Sequence, residues 1–390
     1  MADEARAAEP SAFTRSAFFA IAFTIGLTAF GGGFAVIALL KQRVVDRHRW
    51  MTEEEFASAV GVVAALPGTN AANLLTIIGA RRAGAGTGVA GCGLFLLPGI
   101  TAILLFAVFY DRMRGVPGFG SVLEGITAAV VGVIAAVADE LRPTVVRTGR
   151  ELVMMTVSFV LLATHAMSLL EVVLFAGTVG LLADRAPRDP LASDAAPAFL
   201  FGTSGAAGSA AAAAVPGLLV TIFGAFAKIS LATFGGGIAM LPAVEREVAV
   251  RGWVPPAVLA DSIAFAQITP GPIANCATFL GYRIAGAAGA LAATLGVFLP
   301  PLFLSLLVAR RLAAVENRRR VRAFLRGVSV AVVGVIAAAA YAVYRVGVHG
   351  AVLTVLAIVV FMWRRLRPKD NTLLTIGAGA LVGVARALLG

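Results

Sequence analysis

The chain has 390 residues, of which 59% are hydrophobic and 14% charged, with a net charge of +11. Soluble domains carry about 25% charged residues, and a mean hydropathy of +0.92 leaves too little polar surface for a fold bathed in water. An ordinary soluble enzyme, a disordered chain and a disulfide scaffold are excluded, which leaves an all-α polytopic membrane protein with room for roughly ten to twelve crossings of about 20 residues. The positive charge has its first explanation in basic cytoplasmic loops and a second in attraction of an anionic substrate. It is spread among short loops, so no nucleic acid is expected as a partner.

In chain order, residues 1–12 read as an N-terminal tail without the basic start of a signal peptide. The first apolar run is therefore expected to be retained. Runs follow at 13–40, 85–110, 119–141, 151–166 and 167–183, and again at 217–244, 286–309, 327–344, 347–363 and 371–389. Between them, 184–216 holds several prolines and a Gly-Ser-Ala tract, the composition of a flexible linker. The predicted organisation is a first transmembrane repeat at 13–183, a linker at 184–216 and a second repeat at 217–390.

The halves are copies. Phe30-Gly31-Gly32-Gly33 recurs as Phe234-Gly235-Gly236-Gly237, Trp50 as Trp253, and Pro67-Gly68 as Pro270-Gly271. Asn73, Thr76, Gly79, Arg81 and Pro98 then recur as Asn275, Thr278, Gly281, Arg283 and Pro300. Matches in one order at a nearly constant offset mark an internal duplication.

Residues 53–66 and 69–80 decide the topology. Thr52 followed by Glu55 resembles a capping box and predicts a helix from 53. Pro255-Pro256 stands at the equivalent start, where proline is tolerated, and Pro67-Gly68 then breaks the helix. At about 1.5 Å per residue neither piece crosses a hydrocarbon core of about 30 Å. The pair is either a re-entrant hairpin or one kinked span. With 13–40 counted as one crossing, the hairpin gives five crossings per half and inverted halves; the kinked span gives six and parallel halves. The hairpin divides Lys and Arg more steeply between the two sides. That favours inverted copies, with the basic side cytoplasmic and the N-terminus outside.

Three consecutive glycines deep in an apolar run disfavour helix by about 1 kcal/mol each. Gly31, Gly32, Gly33, Gly235, Gly236 and Gly237 are therefore expected in unwound stretches whose amides face a substrate; close helix packing is the alternative. Each Pro-Gly break ends one short helix and begins another. A helix start carries free amides and about half a positive charge, a preformed anion site. Pro67, Gly68, Thr69, Asn70 and Asn73 in the first copy, and Gln267, Thr269, Pro270, Gly271 and Asn275 in the second, are the candidate substrate-binding residues. The alternative is a plain kink with capped ends.

Lys228 lies well inside an apolar run. It either attracts an anion or snorkels to the interface. Arg81 and Arg283 follow the second short helix of each copy as anion collectors or interfacial anchors. Asp261, inside a short helix, is the candidate coupling acid; Asp139, Glu140, Glu124 and Glu171 lie near span ends. His48, His165 and His349 are scattered, and the two cysteines, Cys92 and Cys276, make no metal site alone. Neither a zinc motif nor a nucleotide loop is present, so no metal and no cofactor is expected. An intramembrane enzyme would need a nucleophile and base at membrane depth, and no histidine or acid stands convincingly beside a serine.

The stretch from Phe234 to Pro242, with Glu247-Val248, Trp253, Ala266-Gln267-Ile268-Thr269-Pro270-Gly271-Pro272-Ile273-Ala274 and Ala277-Thr278-Phe279-Leu280-Gly281-Tyr282, closely resembles the chromate ion transporter family. Phe30 to Gly33, 50–56 and Pro67-Gly68 carry the same pattern in the first half, so the chain resembles the long, two-domain form. The resemblance implies a multi-pass protein of the bacterial inner membrane that expels chromate using the proton gradient, with two homologous halves in opposite orientations. The partners implied are a small inorganic oxyanion and the lipid bilayer; a homodimer is compatible. The first half departs from the pattern at Thr69, where the family has a second proline, and lacks the Pro-x-x-His ending of chromate-resistance members. Chromate and sulfate are both tetrahedral dianions, so sulfate, another small anion or passive conduction stays open as the alternative.

Overall fold

The computed structural model describes residues 12–28, 33–64, 66–183, 215–310, 319–367 and 372–389. Nearly all of the expected tail and linker, together with Gly31 and Gly32, lie outside the described residues. Every regular element among those described is helical. The first half comprises α1 (Arg15–Thr28), α2 (Gly33–Lys41) with a π-helical turn (Gln42–Arg47), α3 (Glu53–Ala64), α4 (Asn70–Ala83), α5 (Ala85–Arg114), α6 (Phe119–Val145), α7 (Gly149–Ala163) and α8 (Leu169–Ala183). The second comprises α9 (Val215–Ala232), a 3₁₀ turn (Gly237–Met240), α10 (Leu241–Arg251), α11 (Pro256–Ile268), another 3₁₀ turn (Ile273–Asn275), α12 (Cys276–Ala309), α13 (Arg319–Gly347), α14 (Ala351–Leu366) and α15 (Thr372–Leu389). A sharp turn at Ala285 and Gly286 divides α12, matching the Gly84 junction between α4 and α5.

The local signals act as the residues predict. The Thr52 amide donates to Glu55 Oε2 and the Glu55 amide to Thr52 Oγ1, both at 3.1 Å, a complete capping box at the start of α3. Pro256 opens α11.

Among the described residues, four helices are long and apolar enough to cross a bilayer: α5, α6, the long section of α12, and α13. Of these, α6 and α13 are the more buried, and both stand at the centre of the bundle. The halves interlock around them. Helices α14 and α15 pack along α6, while α7 and α8 pack along α13. Glycines make the contact close, with Gly125 on Gly379 and Gly180 on Gly327. This is the small-residue packing expected where lipid supplies no hydrophobic drive between helices.

The short helices return on themselves. Arg82, near the end of α4, bonds Glu55 in the first turn of α3 at 2.8 Å, so α3 and α4 form a hairpin. In the second copy Asp261 of α11 and Arg283 of α12 both reach Tyr110 near the end of α5, so α11 and the first section of α12 form its counterpart. The first apolar run is divided, as its glycines predict. Residues 13–40 form two elements, and at their start the Phe13 ring lies 4.8 Å from Trp50 and Arg15 donates to the Ala83 carbonyl at 3.3 Å. The start of α1 therefore shares an end of the bundle with Trp50 and α4's last turn. With 14 and 9 residues, α1 and α2 rise about 21 and 14 Å, and neither spans the core alone.

Candidate functional site

Proline removes a donor and fixes φ, so neither Pro67 nor Pro270 continues its helix with a full set of bonds. The following glycines, Gly68 and Gly271, take φ of +97° and +96°, a left-handed region favourable to glycine. Each break then seats against the other half. The Gly68 amide donates to the Thr233 carbonyl at 2.7 Å, where the chain unwinds over 233–236. A Cβ on Gly68 would stand 2.5 Å from the Pro301 ring of α12. Reciprocally, a Cβ on Gly99 of α5, next to Pro98, would collide with the Pro270 carbonyl and the Asn275 amide.

Between the breaks lies a cavity of about 50 Å³, room for several waters. Thr69, Asn70 and Ala71 contribute the start of α4; Gly236 and Gly237 contribute the unwound segment. Gln267, Thr269 and Gly271 contribute the second break. Phe95, Val133 and Val137 form apolar wall and Thr372 a polar one, and among the described residues no charged side chain lines the cavity. Thr69 is the N-cap of α4 in extended conformation, yet its hydroxyl does not cap the helix. Thr69 Oγ1 and Asn70 Oδ1 are buried without a partner, and the amides of Asn70 and Ala71 find none among the described residues. An unsatisfied buried polar group costs about 1–3 kcal/mol, so a polar guest that meets these groups is favoured. The helix start adds a positive potential without a formal charge.

The other predicted residues take different places. Asn73 Nδ2 donates to the Pro67 carbonyl at 2.9 Å and clamps the first break. Asn275 is wholly buried beside Gly99, both of its amide atoms lack a partner, and it does not line the cavity. Pro67, Gly68 and Pro270 shape the breaks, and Gly235 packs on Val332. Gly33 begins α2. Lys228 is exposed on α9 and is not among the residues lining the cavity. Its stem is long enough to carry the charge outward, and desolvation beside the cavity would oppose the reverse.

Asp261 is buried too, but in an ion pair. Tyr110 donates its hydroxyl proton to Asp261 Oδ2 at 2.5 Å, and Arg114 donates to the same oxygen from Nε at 3.0 Å and Nη2 at 2.5 Å. The cluster ties α11 of the second half to α5 of the first. Next to it, Arg283 holds Asp111 through two bonds of 2.9 Å. The residue pattern does not reveal Tyr110 and Arg114 as partners of Asp261, because Arg114 reads as one more loop charge. Nor does it reveal the cavity role of Val133, Val137 and Thr372, whose spacing is that of any core residue.

Long apolar helices clasped around broken ones, with a polar hollow at the breaks, define a multi-pass membrane protein whose site lies inside the bundle. The chain belongs to the chromate transporter family, whose model matches residues 16–181 and 220–384, once in each half. It is 31% identical over 353 residues to the chromate transport protein of Pseudomonas aeruginosa, covering 86% of this chain and 82% of the relative. It is 29% identical over 373 residues to the chromate transport protein of Cupriavidus metallidurans, covering 94% and 92%. It is 28% identical over 335 residues to a probable chromate transport protein of Synechococcus elongatus, covering 83% of each. No solved structure matches the chain.

Proposed function

We propose that the protein is a secondary transporter that exports chromate across the bacterial inner membrane and draws on the proton gradient. The observation that carries this is the start of α4. Its unpartnered amides, Thr69 hydroxyl and Asn70 side chain face an uncharged cavity shared by both breaks, in a chain of the chromate transporter family. The anion would be held by Thr69, Asn70 and the amides of Gly236 and Gly237, with Gln267 and Thr269 opposite. Oriented dipoles compensate a dianion while still releasing it, which a fixed lysine at the centre would impede.

The halves are read as inverted, with hairpins that re-enter the membrane. Asp111 near the end of α5 pairs with Arg283, just before the long section of α12. These two helices are repeat equivalents, and the contact is the one expected if they run in opposite directions. Alternating exposure then comes from rocking one half against the other. Rocking that separates α5 from α11 must break the Arg114–Asp261 pair, and a proton on Asp261 removes the charge that holds it. That makes Asp261 the coupling residue in this reading.

Chromate flux in membrane vesicles tests the proposal. Vesicles carrying the protein should move chromate in a manner abolished by a protonophore, and Thr69→Val with Asn70→Ala should reduce that flux at least tenfold with normal insertion. Sulfate competes if the cavity selects only for a tetrahedral dianion. Flux equal to empty vesicles would overturn the substrate; flux indifferent to the protonophore would overturn the coupling.

A further inference from the structure

We propose that a second pocket, between α7, α8 and α13, binds an anionic phospholipid through its phosphate. The pocket has a volume of about 470 Å³ and shares no lining residue with the cavity at the helix breaks, so it does not depend on the substrate reading. Arg150 of α7 and Arg326 of α13 line it. Both are exposed, and neither forms an ion pair among the described residues.

The single acid in the lining, Glu151, is already committed. Its Oε2 accepts the amides of Arg147 at 2.8 Å and Thr148 at 2.9 Å, and the Thr148 hydroxyl at 3.0 Å, which caps α7. With both guanidiniums outside any ion pair among the described residues, two positive charges against one carboxylate leave the lining net positive. Planar forks of this kind match phosphate oxygens in pairs. Below them the wall turns apolar at Met154, Val179 and Val330. Beside them Leu152, Val153, Leu181 and Leu182 are exposed, which in a multi-pass protein is surface for acyl chains.

A charged rim above an apolar wall that continues into a lipid-facing surface fits a phospholipid better than a free ion. The phosphate sits between Arg150 and Arg326, and one chain lies along Met154 and Val330. Basic pockets between membrane helices have this chemistry in general. The ligand would pin α7 and α8 to α13, the contact through which the first half clasps the second.

Thermal unfolding of the purified full-length protein in detergent tests the assignment, with phosphatidylglycerol, phosphatidylcholine and inorganic phosphate as separate titrants. Phosphatidylglycerol should raise the melting temperature at concentrations where phosphatidylcholine does not. The variant R150Q/R326Q should melt as the parent does without lipid and bind phosphatidylglycerol roughly 30-fold more weakly. If that variant fails to fold, R150Q alone and a count of phosphatidylglycerol molecules retained by the parent in native mass spectrometry decide the matter. Equal shifts with both lipids, or an unchanged response in the variants, overturn the proposal. A shift reproduced by inorganic phosphate makes the pocket a free-anion site and equally overturns it.

Discussion

Side chains at the first break divide into those that hold the turn and those that face the hollow. Asn73 belongs to the first kind and Asn70 to the second, though they stand one turn apart on α4. Gly68 is constrained twice, by its φ and by Pro301. Gly68→Ala should therefore cost about 2–4 kcal/mol through backbone strain and overpacking, read as a lowered melting temperature. Gly61, on the exposed face of α3, has nothing within 4 Å of its missing Cβ. Gly61→Ala should stabilise by about 0.5–1 kcal/mol through helix propensity. At the inter-half ion pair, Arg114→Gln leaves a buried acid unpaired. It should destabilise by about 1–3 kcal/mol, less than a fully buried pair because Arg114 is 34% exposed. Adding Asp261→Asn to that variant should restore part of the loss in the same melt.

Helices α1 to α4 show how element length governs topology. None is long enough to cross alone, and two contacts, Phe13 with Trp50 and Glu55 with Arg82, bring their outer ends to one side. Single cysteines at Ala83 and Arg49 should then react with an impermeant thiol reagent from the same side of the membrane, and one at Val116 from the opposite side. Cys92 and Cys276 are buried and should contribute little background. Labelling of positions 49 and 83 from opposite sides would refute the hairpin. The hairpin at 53–80 was half legible: the capping box, the Pro-Gly break and the short pieces were plain, but whether the chain returned needed the Glu55–Arg82 contact. The interruption of 13–40 was legible in its three glycines, but the contact of its start with Trp50 was not, since the run has the length and hydropathy of an ordinary crossing.

Across the whole molecule the halves are interlocked, not merely apposed. Each half surrounds the other's central helix, so neither presents a finished core alone. Coexpressed separate halves should assemble, whereas either expressed singly should aggregate or be degraded, as membrane-fraction blots would show. Duplication, helical class, membrane setting and the two break points follow from residue order, because proline, glycine and unbroken hydropathy act over a few residues and carry the same meaning in any surroundings. The cavity, the Arg114–Asp261 pair and the exchange of α7 and α8 for α14 and α15 do not. They join residues more than a hundred positions apart, and which of several equally apolar faces meets which is settled by packing, a property of the assembled bundle that no local pattern encodes.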